Sequence, residues 1–232
     1  MEKSIKIGGH RGYCLTPEED NTLCAMQRAL DAGMDYVEID LQYTKDDVIV
    51  ITHDDVIQHE GKDYLVVDLT YQEITAMHKD IPTLDMVVEQ FKDTELGFLL
   101  ELKPCTDKLG KRMEPYLFSL MKSLEGISRD RVCVFSIDYT ALWLLNAMDA
   151  DGKILKGIIA TEHMGDPVAF MRHHRVDLYL AYLHKMDEEL VTKLKSAGYQ
   201  VSGSVVNTLE DKQRALQLGV DMFETDCYTV VK

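Results

Sequence analysis

The sequence feature that most constrains the fold of this chain is a recurring corner, where a capped helix ends on a glycine and a strand follows within a few residues. Corners of this kind surround Gly33, Gly198 and Gly219. Glycine commonly ends helices because it adopts a left-handed backbone conformation without a steric penalty. Two corners also resemble each other, because GMDYVEID at 33–40 is similar to GVDMFETD at 219–226. The remaining units differ too much for a solenoid, so the alternation predicts an α/β fold.

Strands and helices alternate along the rest of the chain as well. Strands are predicted at 5–8, 36–42, 97–102, 132–136, 154–160, 177–181, 200–206 and after Gly219, with an extra strand at 48–52. Helices are predicted from about Thr22 to Gly33 and at 84–91, 109–124, 140–148, 167–173, 188–197 and 208–219. Most of these strands are apolar throughout, as expected for parallel strands buried on both faces. Eight core strands in 232 residues predict a closed parallel barrel, which typically needs about 250 residues.

The domain organisation follows from the absence of any linker. No Gly/Ser-rich or Pro-rich stretch divides the chain, so a single domain is predicted over 1–232. Segment 56–81 interrupts the alternation. It is predicted to form a small excursion above the barrel mouth, an insertion at about 54–82 in a position to cover substrate.

Charge and cysteine content exclude several classes of function. The chain has 40 acidic and 25 basic residues and a net charge of −15. We therefore expect no nucleic-acid partner and no anionic-membrane surface, since both need clustered positive charge. The five cysteines are scattered without a CxxC pair, which argues against a disulfide framework or a zinc site. The chain also lacks a signal peptide and a span of about 20 apolar residues. The cysteine pattern and these absences predict a cytoplasmic protein without membrane insertion. The formation of a homo-oligomer stays open.

Two acids and a histidine are concentrated in the segment YVEIDLQYTKDDVIVITHD at 36–54. Glu38 and Asp40 alternate with apolar residues and so share one face of a strand. The second strand of this segment leads directly into His53 and Asp54. Considered alone, the two acids fit a solvated strand face better than a functional site.

Other strand ends carry further charged residues. His10 and Arg11 follow the first strand within the glycine-flanked segment GHRG, and Glu101 and Lys103 share a face two residues apart. Active sites of α/β barrels lie at the carboxyl ends of the strands. Glu101 with Lys103 alone could be an ordinary ion pair, but the joint occurrence of all these residues at strand ends favours a site.

These residue types fit phosphoester chemistry. Glu38, Asp40 and Glu101 can enclose a hard divalent cation, Mg²⁺ or Ca²⁺, because such ions prefer carboxylate oxygens. His10 and His53 can divide the work of general base and general acid near neutral pH. Arg11 and Lys103 supply positive charge for phosphate oxygens. Carboxylates alone would also suit glycoside cleavage, but that chemistry does not need the two cations beside them.

The sequence resembles the glycerophosphodiester phosphodiesterase family along nearly its whole length. The motifs that carry the resemblance are HRG at 10–12, NT at 21–22, EID at 38–40, Thr44 with Asp46, HD at 53–54, PTL at 82–84, ELK at 101–103, FS at 135–136, Asn207, GVD at 219–221 and TD at 225–226. Each motif is weak alone, whereas all of them in this order are highly specific.

The resemblance implies a TIM (β/α)8 barrel with a small insertion after the second barrel strand. It implies metal-dependent hydrolysis of glycerophosphodiesters to glycerol 3-phosphate and an alcohol. By position, Glu38, Asp40 and Glu101 would be metal ligands. His10 and His53 would be the acid/base pair, while Arg11 and Lys103 would hold phosphate. The chain ends six residues after Asp226, at Lys232, so the last helix is expected to be very short or absent.

Three positions depart from the family pattern. Asp20 stands where the family has glutamate, Ser204 where it has tryptophan, and Glu224 where it has an aliphatic residue. Glu224 is open to several interpretations: a fourth inward acid, a partner of Lys103 or Arg11, or a rim residue. Two other functions also stay open. One is lysophospholipid hydrolysis, for which the apolar residues of 56–81 are the candidate acyl site; the other is a catalytically silent barrel that binds a phosphorylated metabolite.

Overall fold

The chain folds into a closed barrel of parallel strands surrounded by helices. The computed structural model describes residues 5–104, 113–162 and 165–232. In chain order the strands are β1 (Lys6–His10), β2 (Tyr36–Tyr43), β3 (Ile49–Ile51), β4 (Val56–His59), β5 (Lys62–Leu65), β6 (Gly97–Leu102), β7 (Val132–Ser136), β8 (Leu155–Ala160), β9 (Leu178–Tyr182), β10 (Gln200–Ser204) and β11 (Met222–Thr225). All except β3, β4 and β5 belong to the barrel, which the pairing of β1 with both β2 and β11 closes. The predicted TIM (β/α)8 barrel is therefore confirmed.

Helices connect successive barrel strands and cover the outside of the barrel. They are α1 (Leu23–Asp31), α2 (Tyr71–Met77), α3 (Leu84–Phe91), α4 (Met113–Ser123), α5 (Tyr139–Met148), α6 (Pro167–His174), α7 (Glu188–Ser196), α8 (Leu209–Leu218) and α9 (Tyr228–Val231). The side chain of a preceding Thr or Asp caps most of them, namely Thr22, Thr70, Thr83, Asp138, Asp166, Asp187 and Thr208. Such a cap satisfies a backbone N–H of the first turn. The four-residue α9 confirms the expected short last helix, and positions 109–112 of the predicted helix 109–124 lie outside the described residues.

The two corners of similar sequence, at Gly33 and Gly219, each use an aspartate side chain in the same way. In the first of the two similar corners, Asp35 Oδ2 accepts the backbone N–H of Ile7 on β1 at 2.8 Å. In the second, Asp221 Oδ2 accepts the backbone N–H of Val201 on β10 at 3.0 Å. Each carboxylate ties the start of its own strand to the start of the preceding barrel strand. The internal similarity in sequence therefore corresponds to an equivalent structural role.

The insertion after β2 forms a small lobe with its own apolar core. Strand β3 runs antiparallel to β2, and β4 pairs with β5 in a separate hairpin that α2 follows. The buried residues of this core are Val50, Ile57, Val66, Leu69 and Ile74. Their burial means that much of the apolar character of 56–81 stabilises the lobe itself.

Strand β2 separates the apolar shell from the polar barrel interior. All eight residues of β2 are buried. Val37, Ile39 and Leu41 pack into the core between barrel and helices. Glu38 and Asp40 are 3% and 1% exposed, so they do not belong to a solvated strand face.

Among the described residues, no helix is long and apolar enough to cross a membrane.

Candidate active site

The predicted site residues meet at the carboxyl ends of β1, β2 and β6. His10 is in register with Glu38 across the β1–β2 pair, and Asp40 is in register with Glu101 across the β2–β6 pair. Adjacent strands therefore place these side chains next to one another. After β2 the chain reverses direction and forms β3, which pairs antiparallel with β2. His53 follows β3.

Three carboxylates form a compact cluster in the barrel interior. One oxygen from each of Glu38, Asp40 and Glu101 lies within 4.8 Å of the others. Burial and the negative charge of Asp40 raise the pKa of Glu38 well above its ordinary value. Burial also raises the pKa of Glu101, although Lys103 opposes the shift. Burial and mutual repulsion therefore make it unfavourable for all three carboxylates to be ionised at the same time.

Lys103 and Arg11 are the cations beside this cluster. Lys103 Nζ lies 2.7 Å from Asp40 Oδ1 and 2.9 Å from Glu101 Oε1. Burial alone would raise the pKa of Asp40, but the Lys103 ammonium holds that pKa below its ordinary value. Arg11 Nε lies 3.5 Å from Asp40 Oδ2, and the Arg11 backbone N–H donates to Glu38 Oε2 at 3.1 Å. Both predicted cations are therefore in the site.

The two nitrogens of the Arg11 guanidinium that face the protein differ in their hydrogen bonds. Its Nη1 donates to Asp20 Oδ2 at 3.1 Å, which gives Asp20 a definite position as the partner of this guanidinium. Its Nε is buried and, among the described residues, has no hydrogen-bond partner. A buried donor without an acceptor is costly, so an anionic ligand at this position would remove that cost.

Asn21, which follows directly, fixes the orientation of Asp40. Its Nδ2 donates to Asp40 Oδ2 at 2.8 Å, and its Oδ1 accepts the backbone N–H of Asp40 at 3.1 Å. Asn21 has a φ of 62°, a left-handed conformation that asparagine tolerates better than most residues. The sequence identified Asn21 as part of a motif but gave no signal for this contact.

The two histidines each pair with a carboxylate. His10 Nδ1 lies 2.7 Å from Asp226 Oδ1, and His53 Nδ1 lies 2.7 Å from Asp54 Oδ1. Burial would lower the pKa of His10, but the hydrogen bond and charge of Asp226 raise it above its ordinary value. His53 lines the same cavity as Arg11 and Asn21, and the side chains of both residues contact Asp40.

Glu224 is an inward acid that lies outside the carboxylate cluster. It is 2% exposed. Its carboxylate accepts hydrogen bonds from the hydroxyls of Tyr36, at 3.2 Å, Ser202, at 3.2 Å, and Ser204. Burial raises its pKa. Of the three interpretations that the sequence left open, the structure matches the inward acid, and Ser204 is one of its partners.

A cavity of about 290 Å³ opens beside Arg11, Asn21 and His53. The insertion contributes Asp80 and Ile81 to its lining. The insertion therefore forms part of the wall next to the site, as expected for a segment above the barrel mouth.

The residues present fit a hard divalent cation. The cluster offers carboxylate oxygens only, which suits Mg²⁺ or Ca²⁺ and not a thiol- or imidazole-preferring ion. Glu38 is buried, and Arg11 supplies a single backbone N–H to it. Burying a carboxylate costs free energy unless a charge or hydrogen bonds compensate it, and a divalent cation would supply that compensation.

Comparisons with known proteins identify the family. The model of the glycerophosphoryl diester phosphodiesterase family matches residues 9–229. A glycerophosphodiester phosphodiesterase of Caldanaerobacter subterraneus is 28% identical over 94% of this chain and 92% of its own length. A human lysophospholipase D is 22% identical over 100% of this chain and 85% of its own length.

A solved structure shows the same fold. It is a phosphodiesterase of Oleispira antarctica in complex with the product sn-glycerol-3-phosphate, with a TM-score of 0.79 and 24% identity over 95% of this chain and 92% of that chain. The resemblance inferred from the sequence, and with it the prediction of an enzyme, is confirmed by the family match over residues 9–229. The chain belongs to the glycerophosphoryl diester phosphodiesterase family.

Proposed function

We propose that this protein hydrolyses glycerophosphodiesters to glycerol 3-phosphate and an alcohol, with a divalent cation held by Glu38, Asp40 and Glu101. The observation that carries the proposal is the placement of two cations and two imidazoles around this carboxylate cluster at one end of the barrel. The solved relative bound to sn-glycerol-3-phosphate supports the class of product.

Arg11 and Lys103 bind the phosphate in this proposal. Arg11 Nε lies 3.5 Å from Asp40 Oδ2 but makes no hydrogen bond among the described residues, so it is a donor that an anionic oxygen would satisfy. Lys103 Nζ contacts both Asp40 and Glu101, so its ammonium would donate a hydrogen bond to a phosphate oxygen that lies at this cluster. The cation, when bound, neutralises charge on the phosphate and polarises its oxygens.

His10 and His53 transfer the protons. The 2-hydroxyl of the glycerol attacks phosphorus, and one imidazole takes the hydroxyl proton. The bond to the alcohol breaks, and the other imidazole, in its protonated form, gives the leaving oxygen a proton. Water then opens the cyclic phosphate, and the two imidazoles return to their starting protonation states.

Turnover of defined substrates tests this proposal. Incubation with glycerophosphocholine or glycerophosphoethanolamine and Mg²⁺ or Ca²⁺ is expected to release glycerol 3-phosphate, and EDTA is expected to stop the release. Glu101→Gln should abolish the metal-dependent rate. Glu125→Gln, on an exposed residue after α4, is the matched control and should retain it. Phosphate binding without turnover across the panel would instead indicate a silent binding barrel.

Lysophosphatidylcholine belongs in the same panel, because one relative is named a lysophospholipase D. An acyl chain needs an apolar surface near the mouth. Of the apolar residues in the insertion, Val66, Leu69 and Ile74 are buried in the core of the lobe. We therefore propose that small glycerophosphodiesters are hydrolysed faster than lysophospholipids.

We further propose that residues 1–232 form a single domain and that the protein is cytoplasmic. The formation of a homo-oligomer stays a prediction.

A further inference from the structure

The strand that closes the barrel brings the end of the chain to His10. Strand β11 pairs with β1, with Gly9 in register with Thr225. Asp226 comes directly after β11, and its Oδ1 lies 2.7 Å from His10 Nδ1. Two residues that are 216 positions apart in sequence thus form a direct side-chain contact.

Asp226 is itself held in place by Asn207, which follows β10. Asn207 Nδ2 donates to Asp226 Oδ2 at 2.7 Å, and the backbone N–H of Asp226 donates to Asn207 Oδ1 at 2.9 Å. Thr225 Oγ1 also donates to Asn207 Oδ1, at 3.3 Å. Both oxygens of the Asp226 carboxylate therefore have a partner, and its rotation is restricted from two sides.

This chain of contacts selects one tautomer of His10. An ionised carboxylate only accepts hydrogen bonds, so the nitrogen that faces Asp226 must carry the proton. Nδ1 of His10 is then the donor, and Nε2 keeps its lone pair. A ring that is fixed in this way can accept a proton at Nε2, and the positive charge that forms lies beside the Asp226 carboxylate.

We propose that Asp226, anchored by Asn207, is the positioning residue for His10, and that it fixes the tautomer and the ring orientation with which His10 transfers protons. This inference rests on the proposed function, in which His10 exchanges a proton with the substrate. Asp226 acts through the imidazole and does not itself contact the substrate.

The test compares two substitutions of Asp226 with the wild-type protein in the presence of Mg²⁺. Asp226→Asn can donate its amide hydrogen to Nδ1, which would move the proton of His10 to Nε2. We expect kcat for glycerophosphocholine to fall by about 10²–10⁴-fold, the usual contribution of proton transfer, with KM changed less than about three-fold. Asp226→Glu keeps a carboxylate and should recover part of kcat relative to Asp226→Asn.

A matched control uses the same substitution elsewhere on the catalytic face. Asp138 follows β7 and caps α5 through hydrogen bonds to the backbone N–H groups of Thr140 and Ala141. Asparagine caps helices about as well as aspartate, so Asp138→Asn should keep wild-type kcat and KM.

A spectroscopic readout separates this proposal from the proposed function. The ¹⁵N chemical shifts of His10, assigned by comparison with His10→Gln, report which ring nitrogen carries the proton in the folded protein. We expect the Nδ1–H tautomer in the wild type and in Asp226→Glu, and the Nε2–H tautomer in Asp226→Asn.

The proposal is overturned if Asp226→Asn keeps the wild-type tautomer, if it keeps kcat within three-fold of wild type, or if Asp226→Glu shows no recovery in either measurement. A wild-type protein without turnover would contradict the proposed function, whereas the tautomer measurement would still decide the role of Asp226.

Discussion

Asn21 and Asp40 are joined by two hydrogen bonds, one from the Asn21 amide to the Asp40 carboxylate at 2.8 Å and one from the Asp40 backbone N–H to the Asn21 carbonyl at 3.1 Å. This pair orients a carboxylate that also contacts Lys103 and Arg11. The direction in which Asp40 presents its oxygens is therefore set by a residue on the loop after β1.

Removal of the Asn21 amide is expected to weaken metal binding. Partners that orient a ligand typically account for about 10–100-fold in metal affinity, so Asn21→Gly should raise the dissociation constant of Mg²⁺ by that factor. Glycine is chosen because the φ of Asn21 is 62° and glycine tolerates this conformation. Isothermal titration with Mg²⁺ measures the change.

Asn21→Ala supplies the control for backbone strain. Alanine also lacks the amide, but it costs about 1–2 kcal/mol more at a left-handed position. Equal loss of Mg²⁺ affinity in both variants, with a lower melting temperature for Asn21→Ala, is the expected pattern. Wild-type affinity in Asn21→Gly would contradict a role of the amide.

Neutralisation of Glu38 is expected to stabilise the metal-free protein. Burial and the charge of Asp40 raise the pKa of Glu38, so the folded protein binds more protons than the unfolded chain, and stability falls as pH rises above about 4.3, the ordinary glutamate pKa. In EDTA, Glu38→Gln should increase the free energy of unfolding by about 1 kcal/mol, and by more at pH 8 than at pH 5. Urea denaturation at the two pH values measures this.

The same Glu38→Gln variant should lose its response to metal. Saturating Mg²⁺ is expected to stabilise the wild type, because a ligand that binds only the folded state adds free energy of unfolding. Glu38→Gln lacks one of three proposed ligands, so its melting temperature should hardly change with Mg²⁺. A variant that is less stable than the wild type in EDTA would contradict the argument.

A buried ion pair outside the site predicts acid sensitivity. Lys156 Nζ lies 2.5 Å from Asp149 Oδ2, and both side chains are buried. Removal of one partner of a buried pair costs about 3–5 kcal/mol, so Asp149→Asn should lower the free energy of unfolding by about that amount at pH 7. Asp151→Asn, at an exposed pair with Lys153 at 3.7 Å, should change it by less than about 0.5 kcal/mol.

The pH dependence of this effect has a definite sign. Burial would raise the pKa of Asp149, but its hydrogen bonds to Lys156 and to the backbone hold that pKa below its ordinary value. The stabilisation is therefore present above about pH 3.9, the ordinary aspartate pKa, and is lost as pH falls through the depressed value in the folded protein. Acid denaturation curves of wild type and Asp149→Asn should converge at low pH; parallel curves would contradict this assignment.

The barrel interior leaves no room for a side chain at position 8. A Cβ on Gly8 would lie 2.2 Å from Tyr36 Cε2, and Tyr36 is 4% exposed. Gly8→Ala should therefore destabilise the protein by about 1–3 kcal/mol, the usual cost of overpacking. At Gly165 a Cβ would meet no atom of the described residues within 4 Å, so Gly165→Ala serves as the control. Similar melting temperatures of the two variants would show that Tyr36 can move aside.

Much of the site was predictable because strand periodicity and barrel topology act together. Glu38 and Asp40 alternate with apolar residues, which assigns them to one face of β2. In a closed barrel of parallel strands, the carboxyl ends of neighbouring strands lie side by side. His10 on β1 and Glu101 on β6 therefore lie next to Glu38 and Asp40 on β2. The contacts of Asp20, Asn207 and Glu224 were not predictable, because no local pattern specifies which side chain on another strand each will contact.

The sequence by itself determined the alternation of helices and strands, the corners at which they turn, and the residue types at the strand ends. These follow from periodicity and local backbone preferences over a few residues. Only the tertiary structure decided that Asp226 contacts His10 and that Glu224 contacts three hydroxyls. The pairing of β11 with β1 on one side and with β10 on the other creates those neighbours when the barrel closes, and closure depends on all eight strands at once.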